Sequence, residues 1–321
     1  MKALYRLKYG GPEVLEIKDV PLPKCGKNDV LVRVMAATIS RTDCGILWGA
    51  PFILRFFTGL FKPKRQITGS DFSGIVEQVG ENVSRFKKGD RIWGFNDLGL
   101  QSHAEYLVVS ANEAIAIIPD GVSYKQAAAS AEGAHYAINA ILSQNIGVGA
   151  RVLVNGGTGA IGSAAIQLLK DCGAYVVATA PGTHINAVKQ LGADEVIDFQ
   201  KVDFTTCGQA FNLVFDAVGK SSWKRCKPLL LPGGSYVSSE LGSGAQNLYL
   251  PVLTRFSSRK VKFPMPVDRK RTIALVSNLF SKKAFNPLID YSVPLKDAIA
   301  TFDYVNSGKK TGNVIIDFTL N

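Results

Sequence analysis

The segment RVLVNGGTGAIG at 151–162 carries the residues best placed to do chemistry. It sets Gly157, Gly159 and Gly162 at GxGxxG spacing between an apolar run and a helical one. Glycines at this spacing, opening a helix directly after a strand, build a phosphate cradle. Gly157 is expected to make the tight turn, Gly159 to let the backbone approach a pyrophosphate, and Gly162 to let helix and strand pack closely. The helix N-terminus then offers unpaired N–H groups and the positive end of its dipole to the anion. Gly157, Thr158, Gly159, Ala160, Ile161 and Gly162 are therefore the first candidate cofactor-binding residues, and the ligand they imply is a dinucleotide.

Which dinucleotide is decided at the end of the following strand, where a carboxylate usually holds the ribose 2′-hydroxyl of NAD. Here 176–184 reads VVATAPGTH, and no carboxylate appears before Asp194. Thr179, Thr183 and His184 offer hydrogen bonds to a 2′-phosphate, so NADPH is the expected cofactor. The overall balance favours anions too: 37 Lys and Arg against 26 Asp and Glu give a net charge of +11.

The elements that must position these residues fall into two groups. Short strands are predicted over 14–20, 30–36, 73–79 and 104–110, with Gly80, Gly89 and Gly94 at turns, which suggests a small barrel or sandwich. From Ser123 the period changes. Helices are expected over 125–131 and 135–143. Strand–helix alternation follows, with strands at 151–155, 175–179, 195–199, 213–218, 235–239 and 261–265, and helices at 161–172 and 184–191. Alternation of this kind implies a parallel sheet covered on both faces. Helices over 269–283 and 294–306 and a strand over 313–318 close the chain. The organisation predicts one domain from 1–122 together with 287–321, and a second from 123–286.

Composition excludes several classes. At 46% hydrophobic and 20% charged residues, the chain of 321 residues can bury two cores and is not disordered. Its basic residues are scattered, without the aromatic-interleaved strip that reads nucleic acid. Five widely spaced cysteines form no CxxC, which fits a reducing, cytoplasmic setting and neither a disulfide framework nor a zinc knuckle. The start runs straight into a strand pattern, with no signal peptide expected. The apolar stretch at 46–60, ILWGAPFILRFFTGL, is too short for a membrane span and is interrupted by Pro51 and Arg55. It reads as a loop or short helix packed on the core or lining a cleft, or as an interfacial or partner-binding patch ahead of the basic cluster at 62–65.

Taken in order, YGGPEVL at 9–15, NDVLVRV at 28–34, GSDFSGIVEQVG at 69–80, FKKGDRI at 86–92, LGADEVID at 191–198, FDAVG at 215–219 and TGNVII at 311–316 resemble the medium-chain dehydrogenase/reductase superfamily, in its zinc-free quinone oxidoreductase branch. The resemblance implies an α/β chain with a GroES-like β-barrel domain and a Rossmann doubly wound parallel-sheet domain. It also implies cofactor contacts from Phe199, Ala217, Val218 and Gly219, and a homodimer.

Zinc members of that superfamily carry a cysteine where this chain has Ser40 and a histidine where it has Ser70, so the resemblance implies no metal. Without a Lewis acid, an electrophile already activated by conjugation is the easier hydride acceptor. The expected substrate is a small quinone or α,β-unsaturated carbonyl. Ser40 is the first candidate donor to the developing negative oxygen, with Asp43 orienting its neighbours and Tyr136 facing the reacting centre. Glu132 has no expected role. The alternatives are an alcohol dehydrogenase-type enzyme of the same superfamily and a non-catalytic NADPH-binding protein.

Overall fold

The computed structural model describes residues 1–144, 146–264 and 268–320, and the chain divides into two compact units. The first comprises Met1–Glu132, Arg269–Ser281 and Ile289–Asn321; the second comprises Gly133–Asp268 and Lys282–Leu288.

The first unit is built on the strand Asp29–Ile39, whose Val30, Val32 and Val34 alternate with residues of the opposite face and are buried. It pairs antiparallel with Asp71–Val79, Tyr106–Ser110 and Asn313–Asp317. Arg91–Phe95 and Ile115–Ile117 extend the sheet on one side and Ile289–Val293 on the other, for seven strands in all. One core gathers Val30, Val32, Phe72, Val76 and Ile92. A second packs Ile39, Leu47, Phe302, Val305 and Ile316 beneath the helices Arg41–Trp48 and Ala298–Asn306.

Several elements depart from expectation for local reasons. Gly94 lies inside a strand instead of a turn, because a Cβ there would meet Ile115 Cγ2 at 2.5 Å and the neighbouring strand could not approach. The stretch 46–60 contributes the end of Arg41–Trp48, a left-handed stop at Gly49 (φ 62°), and the short helix Leu54–Thr58. The helices Tyr124–Ala129 and Arg269–Ser281, expected in the second domain, pack with the first unit. Ala128 and Ala129 are buried against Ala36 and Ile315, and Arg269 pairs with Asp97 at 2.8 Å.

The second unit holds six parallel strands in the order Glu195–Asp198, Tyr175–Ala180, Arg151–Asn155, Phe211–Asp216, Leu230–Ser238, Lys260–Lys262. Numbered along the chain, that order is 3-2-1-4-5-6, the doubly wound arrangement expected of a Rossmann domain. Such sheets bind ligands outside the carboxyl ends of the strands where the winding reverses, here between Asn155 and Asp216. The last strand is confirmed over Lys260–Lys262; Met265, its expected end, lies outside the described residues.

Candidate functional site

The glycine turn stands at that reversal. The strand Arg151–Asn155 ends, and the helix Ala160–Asp171 begins after four intervening residues. Gly156, not Gly157, makes the tight turn: its φ is 91°, and a Cβ there would lie 2.4 Å from Val218 Cγ1. Gly157 instead gives room to the packing around it, since a Cβ would sit 3.2 Å from each of Ala178, Ile166 and Val188. Gly162 fulfils its expected task, with a Cβ position only 2.0 Å from the Gly156 carbonyl oxygen. Gly159 is different. It has ordinary backbone angles (φ −73°, ψ 164°), and a Cβ would meet only the Gly156 oxygen, at 3.6 Å. Among the described residues no side chain caps the helix that Gly159 opens, so its first-turn N–H groups lack a capping acceptor and its dipole favours an anion.

A buried hydrogen-bond lattice holds this turn. Thr179 Oγ accepts from Gly156 N at 2.9 Å and donates to Asn155 Oδ1 at 2.8 Å. Asn155 Nδ2 donates to Asp216 Oδ1 at 2.9 Å. Thr179 is fully buried, so the expectation that it meets a 2′-phosphate is corrected: both hydrogen bonds of its hydroxyl are spent shaping the turn. Across the reversal, Ala217 N donates to the Asn155 carbonyl at 3.1 Å, Val218 packs on Gly156, and Gly219 turns the chain at φ 65°. Ala217, Val218 and Gly219 thus flank the same opening as the glycine turn. Phe199, just past the end of Glu195–Asp198, is half exposed beside the second strand, its N–H donating to Ala180 O at 3.2 Å.

The turn after the second strand places Thr183 and His184 together, with Thr183 Oγ and His184 Nδ1 2.8 Å apart. It is not free of negative charge, as the linear sequence suggests. Asp198 arrives from the third strand, and its Oδ2 lies 2.6 Å from where a Gly182 Cβ would be. Lys201 stands 3.9 Å from the same oxygen.

In the first unit, Ser40 and Asp43 form a capping box at the start of Arg41–Trp48. Ser40 Oγ donates to Asp43 Oδ2 at 2.7 Å and accepts from Asp43 N at 3.0 Å, while Ser40 N also donates to Oδ2 at 2.9 Å. The hydroxyl proton of Ser40 is therefore committed to Asp43, and its expected role as an oxyanion donor is corrected to that of a helix cap. The motif Ser-x-x-Asp was legible as a cap. Asp43 Oδ1 is buried without a hydrogen-bond partner among the described residues, and Asp43 lines a pocket of about 260 Å³ with Arg6, Phe57, Thr58, Lys64 and Arg65. Burial pulls the Arg6 guanidinium down to about 10, against the opposing pull of Tyr9 and Asp43. Asp71, fully buried, is held well above the usual carboxylate range by burial and then by Asp43, although Thr38 N donates to it at 2.7 Å.

Glu132, which has no expected role, accepts from Thr42 N at 3.1 Å and Thr42 Oγ at 2.7 Å, adding a second anchor to the first turn of Arg41–Trp48. Tyr136 lies on Ala131–Ile141, three residues after Gly133, whose missing Cβ lets the helix approach the Ala160 carbonyl; residues three apart share a helix face. His103 has both ring nitrogens engaged, by Thr68 Oγ and the Thr38 carbonyl, at 2.8 Å each. Among the described residues no group of three or more His, Cys, Asp or Glu side chains is placed to hold a metal ion. Nor, among them, is any helix long and apolar enough to cross a membrane.

Residues 26–120 match the family model described as alcohol dehydrogenase GroES-like domain, and residues 191–316 match the one described as zinc-binding dehydrogenase. A chloroplastic quinone-oxidoreductase homolog of Spinacia oleracea is 27% identical over 98% of this chain and 99% of its own length. A chloroplastic NADPH-dependent alkenal/one oxidoreductase of Arabidopsis thaliana is 30% identical over 68% of this chain and 58% of its own length. Among solved structures, the quinone oxidoreductase from Coxiella burnetii matches with a TM-score of 0.85 at 25% identity, over 99% of each chain. The chain belongs to the medium-chain dehydrogenase/reductase superfamily, on its quinone oxidoreductase-like branch. It is an oxidoreductase of that superfamily, whose members bind a nicotinamide cofactor, NAD or NADP.

Proposed function

We propose that this chain is a zinc-independent, NADPH-dependent reductase of quinones or α,β-unsaturated carbonyls. The observation that carries the reading is the open position at Gly159, at the start of an uncapped helix on the reversal point of a 3-2-1-4-5-6 sheet. A diphosphate fits there. The amides from Ala160 to Gly162 would hold it, and Ala217, Val218 and Gly219 would line its far side. The expectation of NADPH draws on Thr183, His184 and Lys201, which supply donors around the ribose turn, and on the NADPH dependence of the Arabidopsis relative. Asp198 opposes a 2′-phosphate and sets a limit on that preference.

When bound, the nicotinamide supplies a hydride, and the protein's task is to position the acceptor and steady the charge that develops on its oxygen. Tyr136 is assigned that hydrogen bond, as the phenol one turn beyond Gly133, where the helix Ala131–Ile141 approaches the Ala160 carbonyl. Asp43, held by Ser40, lines the 260 Å³ pocket and gives its wall a negative charge. The donors do not fit zinc: Ser40 is a neutral cap, Ser70 offers only a buried hydroxyl, and His103 is occupied on both nitrogens. A conjugated acceptor needs less polarisation than a simple ketone, which is why enones and quinones are the substrates proposed. We extend the reading to a homodimer joined at an edge of the six-stranded sheet, where Lys260–Lys262 is paired on one side only among the described residues. The five free cysteines are consistent with a reducing, cytoplasmic setting.

The test is NADPH oxidation over a panel of quinones, enals and aldehydes, with and without a strong metal chelator. Turnover of conjugated acceptors, indifferent to chelation, is expected. Tight NADPH binding with no turnover across the panel would instead point to a non-catalytic binder, and abolition by chelator to a metal enzyme.

A further inference from the structure

The segment around the short helix Leu54–Thr58 exposes more apolar side chain than a chain of this kind has reason to leave in water. Phe52, Ile53, Phe56 and Phe57 are 59–62% exposed and Phe61 is 91% exposed. Leu60 and the nearby Leu7 are exposed as well. The patch has a defined shape. Phe52 and Phe56 meet edge to face at 5.9 Å, and the chain folds back so that Lys64 N donates to the Thr58 carbonyl at 2.8 Å. Tyr9 ties the base down, donating to Gly59 O at 2.6 Å. Contiguous apolar surface of this kind marks a docking face.

Charge identifies what docks. Residues 44–70 contain Arg55, Lys62, Lys64 and Arg65 and not one Asp or Glu. Arg55 is turned inward, its Nε donating to Gly49 O at 3.1 Å and its guanidinium lying 4.6 Å over the Tyr9 ring. Lys62, Lys64 and Arg65, which follow the phenyl rings in the chain, are exposed and pair with no carboxylate among the described residues, although Arg65 also donates to the Leu98 carbonyl at 3.0 Å and to the Gly99 carbonyl. Aromatic side chains ringed by cations of a single sign suit a surface that is apolar below and diffusely anionic above. A protein partner would need discrete carboxylates matched to these exposed cations, whereas a leaflet of acidic lipids needs no such register.

We propose that this face seats on an anionic lipid surface, with Phe56 and Phe61 entering the headgroup–acyl boundary and Lys62, Lys64 and Arg65 lying against lipid phosphates and carboxylates. The contact is peripheral and shallow, because the helix is only five residues long. The face borders the pocket of Asp43, whose lining includes Phe57, Lys64 and Arg65, but the proposal asks where the protein sits, not what it reduces.

Co-sedimentation of the full chain with phosphatidylcholine vesicles, with and without phosphatidylserine, tests this. Binding to the phosphatidylserine vesicles alone, reversed by high salt, is expected. Lys62→Gln should weaken it about fivefold, the equivalent of ~1 kcal/mol for one basic residue at an anionic surface. Phe56→Asp with Phe61→Asp should abolish it, with nucleotide binding and the melting temperature as checks on folding; if that double variant does not fold, Lys62→Gln at its exposed site still decides. The proposal is overturned if neither vesicle binds, if both bind equally, if Lys62→Gln changes nothing, or if sedimentation equilibrium shows that the aromatic residues hold two copies of the chain together.

Discussion

Glycine 162 shows how one missing methyl can define a site. Its Cβ position lies 2.0 Å from the Gly156 oxygen, a backbone atom that cannot swing away. Gly162→Ala should therefore cost about 1–3 kcal/mol of stability by overpacking and open the turn, read as a lower melting temperature and weakened nucleotide binding. The ribose turn gives a second residue-level test. Asp198→Asn removes the carboxylate beside Gly182, so the ratio of NADPH to NADH affinity should rise; an unchanged ratio would show that Asp198 does not face the ribose. A third concerns Asp71. Burial raises its folded-state value above the unfolded one, so the native state binds the extra proton between the two. Stability contributed by that proton is present at low pH and falls as pH climbs from the ordinary carboxylate range toward the raised value. Asp71→Asn should flatten this part of the stability–pH curve in chemical denaturation, and at neutral pH it should be neutral or stabilising. Residue roles were only partly legible in the sequence. The GxGxxG spacing located the cradle but assigned the tight turn to Gly157, because the template says nothing of the preceding Gly156. Asp198 was invisible as a neighbour of Gly182, since strand pairing, not chain distance, brings them together.

At the scale of elements, the helix Arg41–Trp48 is held by more than its own propensity. Ser40 caps it, Asp43 closes the box, and Glu132 takes two further donors from Thr42. Ser40→Ala should cost about 1 kcal/mol, a typical loss for a cap, and should lower turnover only through this loosening. A drop in kcat far beyond the stability change would return Ser40 to a direct catalytic role. Strands of the parallel sheet were readable because burial on both faces makes them near-continuous apolar runs, such as 151–155 and 175–179. Arg91–Phe95 and Ile115–Ile117 were not. They are short, and Gly94 in the first resembles a turn residue until its neighbour Ile115 is seen. Boundaries slipped where small residues made a helix ambiguous: Tyr124–Ala129 belongs with the first unit through buried alanines whose partners, Ala36 and Ile315, lie far away in sequence.

For the molecule as a whole, the alternation of strands and helices was enough to foresee two units of different architecture, and the ordered motifs were enough to place the family. The strand order itself was not readable from periodicity; it came from which strands pair. The surplus of basic residues takes on meaning only in place, as the exposed cations that follow Phe61 in the chain and the lysine beside Asp198. The central claim is that the turn after Arg151–Asn155 holds a dinucleotide's diphosphate against the open position at Gly159. Gly159→Val tests it most directly, because the backbone angles there suit any residue and a side chain would project into space the protein leaves empty. Calorimetric titration of NADPH should show binding to the wild type and a loss of at least about tenfold in the variant, some 1.4 kcal/mol, with the melting temperature little changed. Equal affinity in the two proteins, or no binding of either nicotinamide nucleotide to the wild type, would contradict it.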